Sequence, residues 1–327
     1  MKSEISTSHE TWEEREVFLE EDNYAAVTED ALEYIEEEKN PEYEALGQLI
    51  SETVSTDIDI SQQPEILQVM HVSRLMALEK EEVKADEVSS PALISEKKFP
   101  KVAIIIDDMG ASPKRTNEII ALKAPLTASF VTFASQLDKQ VKLSRQAGQE
   151  IMIHVPMQPK SNIFVSDDVL TIDMSAEEIE NNFRTMLKKF DHVAGINNHM
   201  GSLFTEHADK LEPVMKVLAE NDMFFVDSKT TPQSQGEMVA KKYGVPCLHR
   251  HVFLDNENNL EYILSQLEIV EKIAHKNGYA IAIGHPKSET SKALDVWLKT
   301  LDAKEIQIVH LSEIIRDQQN HISEEKN

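Results

Sequence analysis

The chain has 327 residues, is 41% hydrophobic and carries a formal net charge of -25. This length accommodates one large domain or two ordinary ones. The acidic excess argues against a nucleic-acid partner, because few cations are available to replace the counterions of a phosphate backbone. The single cysteine, Cys247, excludes an intrachain disulfide and a metal site built from several cysteines.

The acidity is concentrated at the N-terminus, where residues 1–98 hold 26 of the 58 acidic residues and only 8 of the 33 basic ones. Short apolar patches favour local helices there, but the apolar content is too thin for an independent core. We therefore predict an acidic N-terminal arm, partly disordered or helical, followed by a Ser/Pro-rich linker and a domain that begins near Phe99. The arm is interpreted either as a spacer or as a segment that folds on a protein partner, which the sequence does not identify.

The first ten residues contain no basic stretch followed by an apolar one, so no secretory signal is visible at this N-terminus. There is also no run of about 18 apolar residues, so no transmembrane segment is expected. The protein is then cytoplasmic, or its export signal was removed or lies outside this sequence.

The run KVAIIIDDMG at 101–110 predicts the first strand of the domain. Five consecutive apolar residues indicate a strand buried on both faces. Asp107 and Asp108 follow at its carboxyl end, which is where α/β folds bind ligands. Neighbouring strand residues point to opposite faces, so we expect one carboxylate to bind a metal and the other to face a substrate. Alternatively, one caps the next helix and the other is solvated.

Strands and helices alternate from there to about residue 318, and a polar tail is predicted over 319–327. A capping box at 175–178 predicts a helix that runs to about Phe190, and Gly244 and Gly278 predict the ends of two more helices. Seven or eight strands separated by helices imply parallel βα units, a count that favours a barrel over an open sheet. Further strands are predicted at 127–133, 150–155, 193–197, 223–227, 246–249 with 252–254, 279–284 and 306–311.

Several of these strands end in a potential ligand, acid or base. In a parallel barrel such residues gather at one rim, although any single histidine among them is also compatible with a purely structural hydrogen bond. A carboxylate with two imidazoles is a common ligand set for zinc and similar ions, which activate water for attack on an acyl bond. The residues concerned are His154, His199, Asp227, Arg250, His251, Asp255 and His285.

Six motifs resemble the divergent polysaccharide deacetylase family and occur in that family's order. The resemblance covers roughly residues 99–318 and implies a distorted (β/α) barrel of seven or eight parallel strands. It also implies a metal-dependent hydrolase that removes N-acetyl groups from an amino-sugar polymer or oligomer. The motifs are IDDMG at 106–110, HVPMQP at 154–159, NNHMGS at 197–202, FVDSKT at 225–230, VFLD at 252–255 and AIAIGHP at 280–286.

By this resemblance, a divalent metal, with zinc the first expectation, is held by Asp108 and His154. The broader deacetylases place a second metal-binding histidine four residues after the first, where this chain has Gln158. His199, at the next strand end, is the predicted replacement. The same resemblance makes Asp107 the catalytic base.

His285 is the predicted catalytic acid, by analogy with a late histidine motif of the broader deacetylases. Asp227 could orient a histidine or only anchor the following loop. Arg250 could brace Asp107, bind a sugar carboxylate or form a salt bridge at the rim. Supporting or substrate-binding roles are predicted for Asp227, Arg250, Asn198 and Gln158.

A second function stays open because Gln158 departs from the pattern of the broader deacetylases. It is a catalytically weak or inactive barrel that binds glycan, or that regulates machinery of the cell envelope. Both functions imply an N-acetylated carbohydrate partner. The resemblance suggests a periplasmic or extracellular protein, whereas no secretory signal is visible at this N-terminus.

Overall fold

The computed structural model describes residues 99–163 and 165–324. The acidic arm predicted over 1–98 lies outside these residues, as does the end of the tail predicted over 319–327. Within the described residues, the last helix continues to Glu324. No helix of this described part is both long and apolar enough to cross a membrane.

Parallel strands and helices alternate along the described chain. The strands are β1 Lys101–Met109, β2 Thr127–Val131, β3 Glu150–Met157, β4 Gly195–Met200, β5 Phe224–Asp227, β6 Cys247–His249, β7 Val252–Phe253, β8 Tyr279–Gly284 and β9 Gln307–Ile308. The helices are α1 Pro113–Ile120, α2 Leu137–Gln146, α3 Ala176–Leu187, α4 Ala208–Glu220, α5 Gly236–Tyr243, α6 Leu260–Asn277, α7 Ser288–Leu298 and α8 Leu311–Glu324, with a 3₁₀ turn at Phe204–Glu206.

The strands form one curled sheet in the order β6-β5-β4-β3-β2-β1-β8-β7, and β9 pairs with the start of β1. Neighbouring strands in this order are parallel. The hydrogen-bonded path ends at β6 on one side and at β7 on the other, so the barrel is distorted and open between these two strands. The predicted distorted (β/α) barrel is confirmed.

Strand β1 is buried on both faces, as its sequence predicts. Val102, Ile104 and Ile106 pack in a core that includes apolar residues of α6 and α7. The alternate residues Ala103 and Ile105 pack in a second core, which includes residues of β8 and α8. This double burial accounts for the uninterrupted apolar run and places the two following aspartates at the end of a core strand.

The element ends follow local signals closely in several places. Ser175 and Glu178 form both hydrogen bonds of the predicted capping box, and Gly244 and Gly278 end α5 and α6 in left-handed conformations. The strand predicted over 306–311 is largely wrong, since only Gln307–Ile308 pairs and Leu311 begins α8. There, side chains of β2 and β3 accept hydrogen bonds from the amides of residues 311 and 312, which allows a helix to begin.

Candidate active site

A pocket opens at the carboxyl ends of β1, β3, β4 and β8. It contains all five residues predicted to form the catalytic and metal site, and also Asn198. The lining residues are Asp107, Asp108, Ala111, Ser112, Arg115, His154, Asn198, His199, Met200, Ser228, Thr230, Phe253, Asn258, His285, Pro286, Lys287 and Ser288. Converging strand ends therefore bring together Asp107 and His285, which lie 178 positions apart in the chain.

Both aspartates of β1 approach the same histidine, which corrects the expectation that they point to opposite faces. Oδ2 of Asp107 lies 3.6 Å from Nε2 of His154, and Oδ1 of Asp108 lies 3.5 Å from the same nitrogen. The reason is an irregularity in β1, whose register shifts between Ile106 and Met109. Asp108 there has a φ of 52°, a left-handed conformation that interrupts the alternation of side chains.

Asp108, His154 and His199 form a group suited to a metal ion. One ligand atom from each residue lies within 4.8 Å of the other two, and Nδ1 of His199 is 3.2 Å from Oδ1 of Asp108. This Oδ1 is buried and has no hydrogen-bond partner. Because buried polar atoms are nearly always satisfied, an orphaned carboxylate oxygen beside two imidazoles fits a divalent cation of the zinc type.

The protonation of Asp108 and of His154 suits metal binding. Burial raises the pKa of Asp107 to about 7, although His285 and the hydrogen bonds from Asn197 act against the rise. Burial also favours a higher pKa for Asp108, but attraction by His199 and His285 outweighs it and lowers the pKa below its usual range. Burial, reinforced by repulsion from His199, lowers the pKa of His154 to about 3. Near neutral pH, Asp108 is therefore ionised and His154 is neutral.

His285 lines the same pocket from the end of β8 and is paired with Asp255. Its Nδ1 is 2.9 Å from Oδ1 of Asp255, whose Oδ2 accepts hydrogen bonds from the backbone amide of His285 and from Oγ1 of Thr290, both at 2.7 Å. Burial alone would lower the pKa of His285, but Asp255 raises it to about 9. The sequence indicated Asp255 as a strand-end acid and did not indicate this pairing.

The polar residues at the end of β5 and of the neighbouring β4 hold loops in place. Oδ1 of Asp227 accepts a hydrogen bond from the amide of Lys229 at 2.9 Å, which is the loop-anchoring contact considered above. Asn198 accepts from the amide of Ser228 at 3.0 Å and donates to the carbonyl of Met200 at 2.7 Å. Asn198 thus shapes the pocket wall, whereas Asp227 lies outside the lining.

Arg250 is fully buried and lies outside the pocket lining, which speaks against a salt bridge at the rim, while its role in bracing Asp107 stays a prediction. Its Nε donates to the carbonyl of Ser228 at 2.9 Å and its Nη2 to the carbonyl of Lys229 at 3.2 Å. The guanidinium lies 3.7 Å from the ring centre of Phe253. Burial lowers its pKa to about 9, opposed by attraction to Asp227 and Asp107.

His251 also makes backbone contacts. Its amide donates to the carbonyl of Ile281 at 2.9 Å, and its Nδ1 accepts from the amide of the same residue at 3.0 Å. The ring therefore continues the pairing of β7 with β8 by one residue, which is a structural role.

Gln158 lies outside the pocket lining, so of the two roles predicted for it only a supporting one is compatible with its position. Its Oε1 accepts a hydrogen bond from the amide of Ile172 at 2.9 Å, and its carbonyl accepts from the amides of Leu203 and Phe204. Gln158 thus joins two loops, at the position where the broader deacetylases have their second histidine. His199 reaches the pocket from β4, where it pairs in register with Pro156 of β3.

The fold and the strand-end site define a parallel (β/α) barrel with a candidate metal centre. The sequence model of the divergent polysaccharide deacetylase family matches residues 104–315. The chain belongs to this family.

Relatives extend over most of the same region. An uncharacterized protein of Haemophilus influenzae is 34% identical over 241 residues, which are 73% of this chain and 86% of that protein. YibQ of Escherichia coli, also described as uncharacterized, is 32% identical over 232 residues, 71% of each chain. The crystal structure of the uncharacterized protein ATU2773 from Agrobacterium tumefaciens has a TM-score of 0.65 and 26% identity, and the match covers 69% of this chain and 92% of that one.

Proposed function

We propose that this protein is a metal-dependent hydrolase that removes N-acetyl groups from an amino-sugar polymer or oligomer, with zinc as the ion and a cell-envelope polysaccharide as the source of substrate. The observation that supports this best is the convergence of Asp108, His154 and His199 in one pocket with a buried carboxylate beside them. Membership of the deacetylase family supports the choice of an acetylated sugar.

In this proposal, Asp108, His154 and His199 hold the ion. When bound, a divalent ion supplies Lewis acidity that polarises the acetyl carbonyl and lowers the pKa of water toward neutrality. Asp107 lies next to these ligands, and Asn197 donates to both of its carboxylate oxygens, at 2.8 and 3.0 Å. Asp107 is therefore the group that accepts the proton of the attacking water.

His285 acts as the acid. With its Nδ1 hydrogen-bonded to Asp255, the ring has Nε2 available to give a proton to the leaving amine nitrogen. The carbon-nitrogen bond of the acetamide breaks as this proton arrives, and the products are acetate and a free amino sugar. The pair formed with Asp255 keeps His285 protonated near neutral pH, which a general acid requires.

The direct test is acetate release from oligomers of N-acetylglucosamine and from peptidoglycan fragments by the full chain. We expect release with the zinc-loaded protein, loss on treatment with a chelator and recovery when zinc is restored. Asp209→Asn is a matched control, because this carboxylate lies on α4 with a side chain that is 74% exposed. It should leave acetate release unchanged.

A binding function without catalysis is the alternative outcome. A folded protein that contains zinc and binds these glycans, yet releases no acetate from any of them, would contradict the hydrolase proposal and favour a glycan-binding role.

A further inference from the structure

The side chain of Asn197 contacts both Asp107 and His154, and it is fully buried. Its Nδ2 donates to Oδ1 and Oδ2 of Asp107, at 2.8 and 3.0 Å, and to Oγ of Ser228 at 3.2 Å. Its Oδ1 accepts from Oγ of Ser129 at 2.6 Å and lies 2.8 Å from Nδ1 of His154. One amide thus joins the proposed base to a proposed metal ligand, and its donors and acceptor are fully used.

The orientation of this amide follows from its neighbours. In its ionised form, which a base requires, the carboxylate of Asp107 can only accept hydrogen bonds, so the NH₂ group faces Asp107 and the oxygen faces His154. A reversed amide would place its oxygen against the carboxylate oxygens of Asp107. With the amide oxygen beside it, Nδ1 of His154 must carry the hydrogen, because two acceptors cannot form a hydrogen bond.

The tautomer of His154 is then determined. A neutral imidazole with hydrogen on Nδ1 has an unprotonated Nε2 that can bind a metal. Nε2 is also the nitrogen that lies 3.5 Å from the orphaned Oδ1 of Asp108. The contact with Asn197 therefore directs the lone pair of His154 toward the candidate metal site.

We propose that Asn197 is a positioning residue that selects the metal-binding tautomer of His154 and, through the same side chain, holds the carboxylate of Asp107. The part that concerns Asp107 rests on the proposed function, whereas the part that concerns His154 rests on geometry alone. The two neighbours need opposite partners, a donor for Asp107 and an acceptor for His154. Asparagine provides both within one short side chain. An ionised aspartate lacks the donor, alanine lacks both groups, and the hydroxyl of serine is too short to reach both neighbours.

The tautomer can be measured in the metal-free full chain by NMR of ¹⁵N-labelled imidazole rings. In the wild type, we expect His154 to carry hydrogen on Nδ1. In Asn197→Ala, we expect a mixture of tautomers and a zinc affinity that is about 10- to 100-fold weaker, as is typical when the partner of a ligand histidine is lost. Competition with a chelator measures this affinity. Ser129→Ala is the matched control, since it removes only a hydroxyl donor to the same amide oxygen and should keep the tautomer.

Asn197→Asp separates the two parts of the proposal. A carboxylate at this position still accepts from Nδ1 of His154 but cannot donate to Asp107 when ionised. We expect the His154 tautomer and the zinc affinity to stay close to those of the wild type, while kcat for acetate release falls at least tenfold with little change in KM. Unchanged kcat would overturn the role assigned toward Asp107.

A folded Asn197→Ala protein with the wild-type tautomer and unchanged zinc affinity would overturn the role assigned toward His154. If Asn197→Ala does not fold, Asn197→Ser gives the same test, because its hydroxyl is too short to reach both neighbours. If Asn197→Ala changes the tautomer and weakens zinc binding as expected, but the wild type releases no acetate, the proposed hydrolase function is contradicted and this role of Asn197 stays supported.

Discussion

The two sides of the pocket shift the pKa of a histidine in opposite directions. On the proposed metal side, formed by Asp107, Asp108, His154, Asn197 and His199, the pKa of His154 is lowered to about 3. On the acid side, formed by Asp255, His285 and Thr290, the pKa of His285 is raised to about 9. Both rings are deeply placed, so the difference comes from their partners. His154 contacts a neutral amide and lies beside another imidazole, whereas His285 contacts a carboxylate.

In the proposed mechanism, this difference in pKa separates a metal ligand from a general acid. A metal ligand must offer a lone pair, and a neutral imidazole has one, whereas a general acid must hold a proton at the working pH. Each side chain that contacts a ring therefore determines what the ring can do. Variants of either side should disturb one of these properties and leave the other intact.

The largest effect should come from the metal side. Asp108→Ala removes the carboxylate that faces both imidazoles, so we expect metal content to fall from near-stoichiometric to near zero and acetate release to be abolished. Elemental analysis of the purified proteins measures this, with Asp107→Asn as the control that retains the metal. Equal metal content in Asp108→Ala and the wild type would disprove the ligand assignment.

Asp107→Asn should lower the rate of acetate release while the metal ion stays bound. Loss of a general base costs about 100- to 10,000-fold in rate, so we expect kcat to fall within that range. The residual acetate release, measured with saturating zinc, gives the size of the effect. Wild-type turnover in Asp107→Asn would show that Asp107 is not the general base.

Asp255→Asn tests the acid side alone, because it removes the negative charge that raises the pKa of His285. His285 must be protonated to act as an acid, so activity is lost as the pH rises through its pKa, which is about 9 in the wild type. Without the charge of Asp255, this pKa falls, and the alkaline limb of the pH–rate profile should move to lower pH. The zinc affinity should stay unchanged. An alkaline limb at the wild-type position would contradict the acid assignment of His285.

The smallest effect is expected from Gln158→His, which restores the histidine of the broader deacetylases at this position. The side chain at 158 is directed to the amide of Ile172, outside the pocket lining, so a new histidine should add no metal ligand. Metal stoichiometry and turnover should stay at the wild-type level. Loss of the hydrogen bond should lower the free energy of unfolding by about 1 kcal/mol, which thermal unfolding measures. A second bound ion would contradict this placement.

Much of the fold and of the pocket could be predicted because strand ends carry a clear signal. The apolar runs fixed β1 and the exact bounds of β8, and the polar residues that follow them converge because parallel strands share one rim. The strand ends alone indicate a wider set of residues, and the resemblance to the deacetylase family selects Asp107, Asp108, His154, His199 and His285 among them.

What could not be predicted depends on side-chain direction. The left-handed conformation of Asp108 brings both aspartates to one histidine, and no local propensity requires it at that residue. The contacts of Asp255 with His285 and of Gln158 with Ile172 do not follow from the sequence, because these partners lie 30 and 14 residues away. The apolar run before α8 was taken for a strand because the acceptors that allow a helix to begin there belong to distant strands.

The opening between β6 and β7 also bears on the solubility of the barrel. A sheet that does not close has two edge strands, and exposed edges invite pairing with other chains. Here the edges are strands of only three and two residues. Between them, Arg250 binds the backbone carbonyls of Ser228 and Lys229, and His251 accepts from the backbone of Ile281. These short edges leave few backbone groups for pairing with another chain, and Arg250 and His251 bind backbone groups of the neighbouring strand ends.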